Sequence, residues 1–521
     1  MPPPNGIGIN LGVLGAIYPE IPFVDVFKET QPWRIAKKYG TAGAISTGVS
    51  EIGDDGWVKS LASDERAVAC AFQFKSEHYP AGVYTVLYRG VGTLDAAGAT
   101  RVVSRSPGRM KILVTPRPGG GGLCIVESTT DPGDPIRDIR VIMPGFESVY
   151  EKDPFYPPFI NELKPFGTVR MIGWAEVNRS QVSSWADRRP MDYSTQAVSI
   201  DKTTKPVTFT GVALEYQIDL ANELGSNPWF VTPTMASDDY MRKMAELVHR
   251  RLRPDLHPII EFSNEIWNAA FSDHQYALAE GMRAGLDPEP DPKKSRAEYY
   301  WYATRAARMF DIWNVAFGSD DHRIVHVIAG QQGWAAEADA ILGYRDTYKK
   351  ADVLAVAGYA RAFSFYRDRD PQTLQAISRT SVTEVLRHLK ENIATVLPAQ
   401  WAANRKIADK YGLGLVVYEG GLDFSTNILS PPYREPITDL MVAAGRDPTI
   451  EEIYSGLLNQ IPTSKVRLFM HFCDVATPAG WGSYGALEYQ QQDPITSPKY
   501  VALTKFIDAH PVAREPADPT K

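Results

Sequence analysis

The chain has few of the features that quickly assign a protein to a class. Of its 521 residues only three are cysteines, Cys70, Cys124 and Cys473. So low and odd a count excludes a disulfide framework. Cys70 and Cys124 could form one bridge; the expectation is two free buried thiols. The nine histidines do not cluster, and no spacing suggests a zinc site. There is no basic excess either. A net charge of −7 argues against a nucleic-acid or anionic-membrane partner and fits a neutral or weakly charged substrate. No apolar run reaches membrane-spanning length. The opening "MPPPNGIGINLG" lacks the charged and apolar regions of a signal peptide. The expectation is a soluble chain, with extracellular or virion-associated action left open and the oligomeric state not indicated.

What is present changes character along the chain. Residues 35–147 are rich in Gly, Val, Thr and Ser, with short runs such as "RAVACAFQF", "GVYTVLYRGVG", "RMKILVTP" and "IRDIRVIMP". Turn signals such as Pro107-Gly108 and "RPGGGG" separate them, as in a β-sandwich. From about residue 148 strand-length apolar runs alternate with helical stretches. The runs are 168–174, 228–233, 258–263, 323–330, 352–359, 414–420 and 466–472. One helix is signalled between Ser237, a suitable N-cap, and Arg250-Arg251, suited to the negative end of the helix dipole. With "GIGINLG" at 6–12 as the first strand, eight β/α units predict an α/β fold, a (β/α)8 TIM barrel with an all-β sandwich inserted after the first strand. The expected divisions are 1–34 for the first strand and its loop, 35–147 for the sandwich and 148–521 for the rest of the barrel. The rival is an open doubly wound sheet, but "GIGINLG" lacks the phosphate-binding GxGxxG spacing.

In such a barrel chemistry sits at the C-terminal ends of the strands. The fourth predicted strand ends in Asn264-Glu265 and the seventh in Tyr418-Glu419-Gly420-Gly421. Two carboxylates converging from opposite sides of a barrel mouth suit glycosidic cleavage, one protonating the leaving oxygen while the other attacks the anomeric carbon or activates water. Other polar or aromatic residues near strand ends are Arg170 and Trp174 on the second strand, Tyr359 on the sixth, His471 on the eighth and Trp481 in the loop beyond it. Each also has a plainer reading. Asn264-Glu265 could be a cap and a surface carboxylate, Glu-Gly-Gly an ordinary turn, and Arg170 an ion-pair partner. His471 reads as a buried, hydrogen-bonded histidine rather than a catalytic one, and Trp267 as a packing residue. Phe363, Phe365 and Tyr366, in the loop after the sixth strand, could wall a cleft or only pack that loop.

"EFSNEIWN" and "LVVYEGG" resemble the strand-four and strand-seven signatures of clan A of the glycoside hydrolases, the 4/7 superfamily of retaining glycosidases. "GINLG…PFVDVFK", "VRMIGW…N" and "NPWF" are similar to bacterial and phage-associated members with a β-sandwich near the N-terminus. The resemblance covers roughly residues 5–33 and 148–510. It implies a retaining glycoside hydrolase that acts on a polysaccharide or oligosaccharide without metal or organic cofactor, with Glu265 as acid/base and Glu419 as nucleophile. Asn264 would then bond the sugar 2-hydroxyl, Arg170 and Tyr359 would favour an ionised Glu419, and Trp481 would stack on a sugar. Trp174 and His471 complete the candidate substrate-binding set. The long loops favour endo action. The sandwich reads as a buttress somewhat more than as a carbohydrate binder. The rivals are a carbohydrate-binding or virion-attachment protein with little turnover, and a metal-dependent hydrolase, which would need several ligands where only His471 qualifies.

Overall fold

The computed structural model describes residues 6–38, 50–198, 210–365 and 369–511. Residues 1–5 and Tyr366 lie outside these. Eight parallel strands close into a barrel: β1 (Gly6–Asn10), β2 (Thr168–Arg170), β3 (Asn227–Thr232), β4 (Ile259–Phe262), β5 (Val325–Gly330), β6 (Val353–Arg361), β7 (Gly414–Asp423) and β8 (Val466–His471). β8 pairs back onto β1, Ile9 facing His471, so the ring is complete. All eight expected strands are present, and the open-sheet alternative falls away.

Alternation along the strands sorts side chains into two cores. Val231, Ile259, Val327, Ala355, Val416, Leu468 and Met470 fill the barrel interior. The opposite faces, with Ile260, Leu354, Leu415 and Phe469 among them, pack against the helices. Each fully buried Val, Leu, Ile or Phe contributes roughly 1.5–3 kcal/mol. This double burial is why the strands read as near-continuous apolar runs. The predicted helix spans Asp238–Arg251, and Ser237 caps it by accepting a hydrogen bond from the Tyr240 amide.

Between β1 and β2 in sequence lie two four-stranded antiparallel sheets. Ala67, Leu94, Leu123 and Ile125 of one pack against Tyr84, Val86, Ile112 and Val141 of the other in a single core, so the sheets form a sandwich. Phe27 and Val26, from the segment after β1, enter the same core. Two strands of these sheets, Arg34–Lys37 and Gly92–Gly98, were not among the expected runs; the second, GTLDAAG, is poor in β-formers, and pairing with Leu123–Thr130 sets its conformation. The cysteine expectation is corrected. Cys70 and Cys124 are directly opposite each other on paired strands and form a disulfide, while Cys473 is free and buried.

Candidate active site

The upper layer of the barrel interior is polar, and Arg170 is its hub. The guanidinium, with no exposed surface, donates from Nε and Nη2 to Glu261 Oε2 at 3.1 and 2.8 Å. Nη2 also reaches Asn264 Oδ1 at 2.9 Å, and Nη1 reaches Asn10 Oδ1 at 3.1 Å. Glu419 Oε2 stands 3.7 Å from Nη1. One buried cation thus joins β1, β2, β4 and β7. Glu261 also accepts from Trp229 Nε1 at 2.9 Å, so this buried carboxylate meets both a charge and a neutral donor.

Two local departures from strand geometry aim the carboxylates. In a regular strand Asn264 and Glu265 would face opposite sides. Here Ser263 and Glu265 adopt left-handed backbone conformations, φ 59° and 41°, just past the end of β4. Both neighbouring side chains then reach groups at the barrel mouth. Asn264 bonds Arg170, while Glu265 Oε1 accepts from the Tyr418 hydroxyl at 2.7 Å and Oε2 from Asn268 Nδ2 at 2.8 Å. Non-glycine residues in this region cost on the order of 1–3 kcal/mol each and persist where surrounding contacts fix them. Ser263 is held by its Oγ contact with Thr234 at 2.7 Å. On β7 the departure is a bulge. Val417 pairs with Val356 and Glu419 with Ala357, which leaves Tyr418 as the extra residue. The bulge lets Tyr418 and Glu419, adjacent in sequence, both serve the interior: Tyr418 bonds Glu265, and Glu419 Oε1 accepts from the Tyr359 hydroxyl at 3.1 Å.

The electrostatics differ from expectation at one point. Arg170 and Tyr359 do favour the ionised form of Glu419. Burial, however, and then the charge of Glu265 outweigh them and push Glu419 up to about 8. The reason is that Arg170 is shared, its closest carboxylate being Glu261. Glu419 therefore holds its proton at neutral pH more firmly than an ordinary carboxyl group.

Arg170, Asn264, Glu265, Tyr359 and Glu419 therefore belong to one connected network. Three candidates stand apart from it. The second strand stops at Arg170 and the chain turns into a short helix, Ile172–Ala175, which carries Trp174 outward. Trp174 is buried against Phe159 and Phe23, and its Nε1 donates to Glu20 at 2.8 Å, so it is not a strand-end platform. His471 is buried, and its Nδ1 contacts the Tyr454 hydroxyl rather than a side chain of this network. Trp481 is 73% exposed on the loop after β8, with no ring contact among the described residues. Phe472, directly past the end of β8, instead packs edge-on to Tyr359 and Tyr484. Phe363 and Phe365 pack against each other in their loop.

Residues that sequence reasoning missed are Glu261, Tyr418, Asn268, Trp229 and Tyr484. Glu261 was within reach: it sits two residues after inward-facing Ile259 and must share its side of the sheet. Tyr418 was not, because strict alternation would turn it away from Glu419. Among the described residues, no group of three or more His, Cys, Asp or Glu is arranged to hold a metal ion.

No family model matches the chain, and no curated protein matches it. Solved structures with a similar course include the CBM22-1–GH10 modules of Clostridium thermocellum xylanase 10B, with 9% identity, 94% of this chain and 97% of that one covered, and a TM-score of 0.36. Cellvibrio japonicus xylanase 10C gives 10% identity, 91% and 98% coverage and a TM-score of 0.35. A GH5-4 broad-specificity endoglucanase from Clostridium longisporum gives 8%, 70% and 89%, and 0.35. Likenesses this distant carry no functional argument.

Proposed function

We propose that the chain is a retaining glycoside hydrolase of the clan A type, cleaving a polysaccharide or oligosaccharide by double displacement and acting within the chain. The observation that carries this reading is the pairing of Glu265 and Glu419, from β4 and β7, in one coupled network with separate hydrogen-bond partners.

Glu419 is the nucleophile. Its oxygen attacks the anomeric carbon as Glu265 donates a proton to the departing glycosidic oxygen, leaving a glycosyl ester on Glu419. Esterification removes the negative charge of Glu419. Glu265, now ionised, takes a proton from water, and the water oxygen displaces Glu419 from the anomeric carbon. Tyr418 and Asn268 fix the position of Glu265; Arg170 and Tyr359 stabilise the carboxylate that returns when the ester breaks. Asn264 Nδ2 donates one hydrogen to Asn178 Oδ1 at 2.8 Å and keeps a second for a sugar hydroxyl.

The test is release of reducing ends from a panel of plant and bacterial polysaccharides. The wild-type chain is expected to cleave at least one, with Glu265→Gln and Glu419→Gln each at least about 10³-fold slower. Binding without any cleavage by the wild type would favour a carbohydrate-binding or virion-attachment role instead.

A further inference from the structure

β6 and β7 continue past Glu419, which pairs with Ala357, and past Tyr359, which pairs with Gly421, to Arg361 opposite Asp423. Arg361 Nε donates to Asp423 Oδ2 at 2.6 Å. Asp423 Oδ1 accepts from the Ser425 amide at 2.9 Å, the Ser425 hydroxyl at 2.6 Å and the Tyr484 hydroxyl at 2.8 Å. The Tyr484 ring lies 5.8 Å from that of Tyr359, and the Arg361 guanidinium 5.9 Å from the same Tyr359 ring. This second polar group is therefore continuous with the carboxylate pair. It stands two residues beyond Tyr359 and four beyond Glu419, about 13 Å along the strands from the nucleophile, more than one sugar ring from the point of cleavage.

Its hydrogen-bonding capacity is one-sided. Every lone-pair direction of Asp423 in use is filled by a protein donor, and the side chain is 7% exposed. The Arg361 side chain is 40% exposed, and neither Nη1 nor Nη2 meets a protein acceptor among the described residues. Arg361 itself thus offers a ligand donors only, in a planar fork whose orientation is fixed through Nε. A neutral sugar ring, whose hydroxyls both donate and accept, would be matched by a mixed set. A donor-only fork matches a carboxylate.

We propose that Arg361 binds a carboxylate of the substrate, so that the cleft takes a uronic-acid-containing polysaccharide with an acidic sugar beyond the ring at the cleaved bond. This rests on the glycosidase reading of the same site. Asp423 already pairs with Nε, so Nη1 and Nη2 recognise the carboxylate through two parallel hydrogen bonds rather than through excess charge. The chain's net charge of −7 opposes a polyanion only at long range, where salt screens it beyond about 8 Å.

The experiment uses the full chain with glucuronoxylan, alginate, polygalacturonate and hyaluronan, each beside its carboxyl-reduced form. Cleavage is read as kcat/KM, and binding is read separately on Glu265→Gln. At least one acidic polymer is expected to exceed its reduced form by about 10- to 100-fold, the scale of a charged hydrogen-bond pair. Arg361→Gln is expected to erase that difference. The comparison within the wild type needs no variant to fold. Equal treatment of every pair, preference for the reduced forms, or neither cleavage nor binding of any acidic polymer overturns the inference. Cleavage of neutral polymers alone would do so while leaving the glycosidase reading intact. Arg361-dependent binding of acidic polymers without cleavage would support the Arg361 site and reject the glycosidase reading.

Discussion

At the scale of single residues, the site departs from the simple division of one low and one high carboxylate. Glu419 stands at about 8 against an ordinary 4.5 because burial and Glu265 outweigh Arg170 and Tyr359. The folded protein therefore keeps a proton that the unfolded chain releases above about pH 4.5, and stability declines as pH rises from there toward 8. Glu419→Gln removes this decline. Its melting temperature is expected to exceed the wild type's at pH 8 by roughly 2–4 °C, with the gap closing on acidification. A gap that widens toward pH 4.5 would show that Glu419 is ionised in the fold at all working pH. The nucleophile attacks only when ionised, so activity is expected to rise with pH toward about 8. Glu265 and Glu419 were legible in the sequence because each closes an apolar run. The raised proton affinity of Glu419 was not, because it depends on burial and on Glu261 competing for Arg170.

At the scale of elements, the strands were readable because both of their faces are buried, so hydrophobicity marks them without ambiguity. What hydrophobicity does not carry is the register fault at Tyr418 or the backbone turns at Ser263 and Glu265, which depend on pairing with neighbours far away in sequence. The same limit applied to Trp174, which closes an apolar run yet leaves the barrel because the strand ends four residues earlier. The bulge sits beside a tight crossing. A Cβ added at Gly420 would lie 2.7 Å from the Gly358 carbonyl oxygen and 2.8 Å from Phe469 Cε2. Gly420→Ala is expected to cost about 1–3 kcal/mol by overpacking and to displace Glu419. Thermal melting should register the first effect, and loss of activity beyond the destabilisation the second. A variant with wild-type stability and activity would mean that β6 and β7 can separate freely.

At the scale of the whole molecule, the barrel was legible from eight repeats of one pattern and the sandwich from its short strands and turns. The disulfide was not, because cysteine count alone cannot bring Cys70 opposite Cys124; the strand register does. That bridge lies within the sandwich and closes a sequence separation of 54 residues. On chain-entropy grounds it contributes about 4 kcal/mol. Reduction is expected to lower the melting temperature of a transition carried by the sandwich. Cys70→Ala with Cys124→Ala should reproduce that loss, while Cys473→Ala should not. An unchanged melt after confirmed reduction would mean that the sandwich core holds without the bridge.

The central claim, that Glu419 attacks sugar and Glu265 moves the proton, is tested most directly by azide rescue. The substrate is a dinitrophenyl glycoside of the sugar that the polysaccharide panel identifies, because its leaving group needs little protonation. Glu265→Ala should still form the glycosyl-enzyme, and azide should accelerate turnover to a glycosyl azide of retained configuration. Glu419→Ala with azide should give the inverted glycosyl azide. The opposite pattern would exchange the two roles, and equal, unrescued loss in both variants would contradict the account.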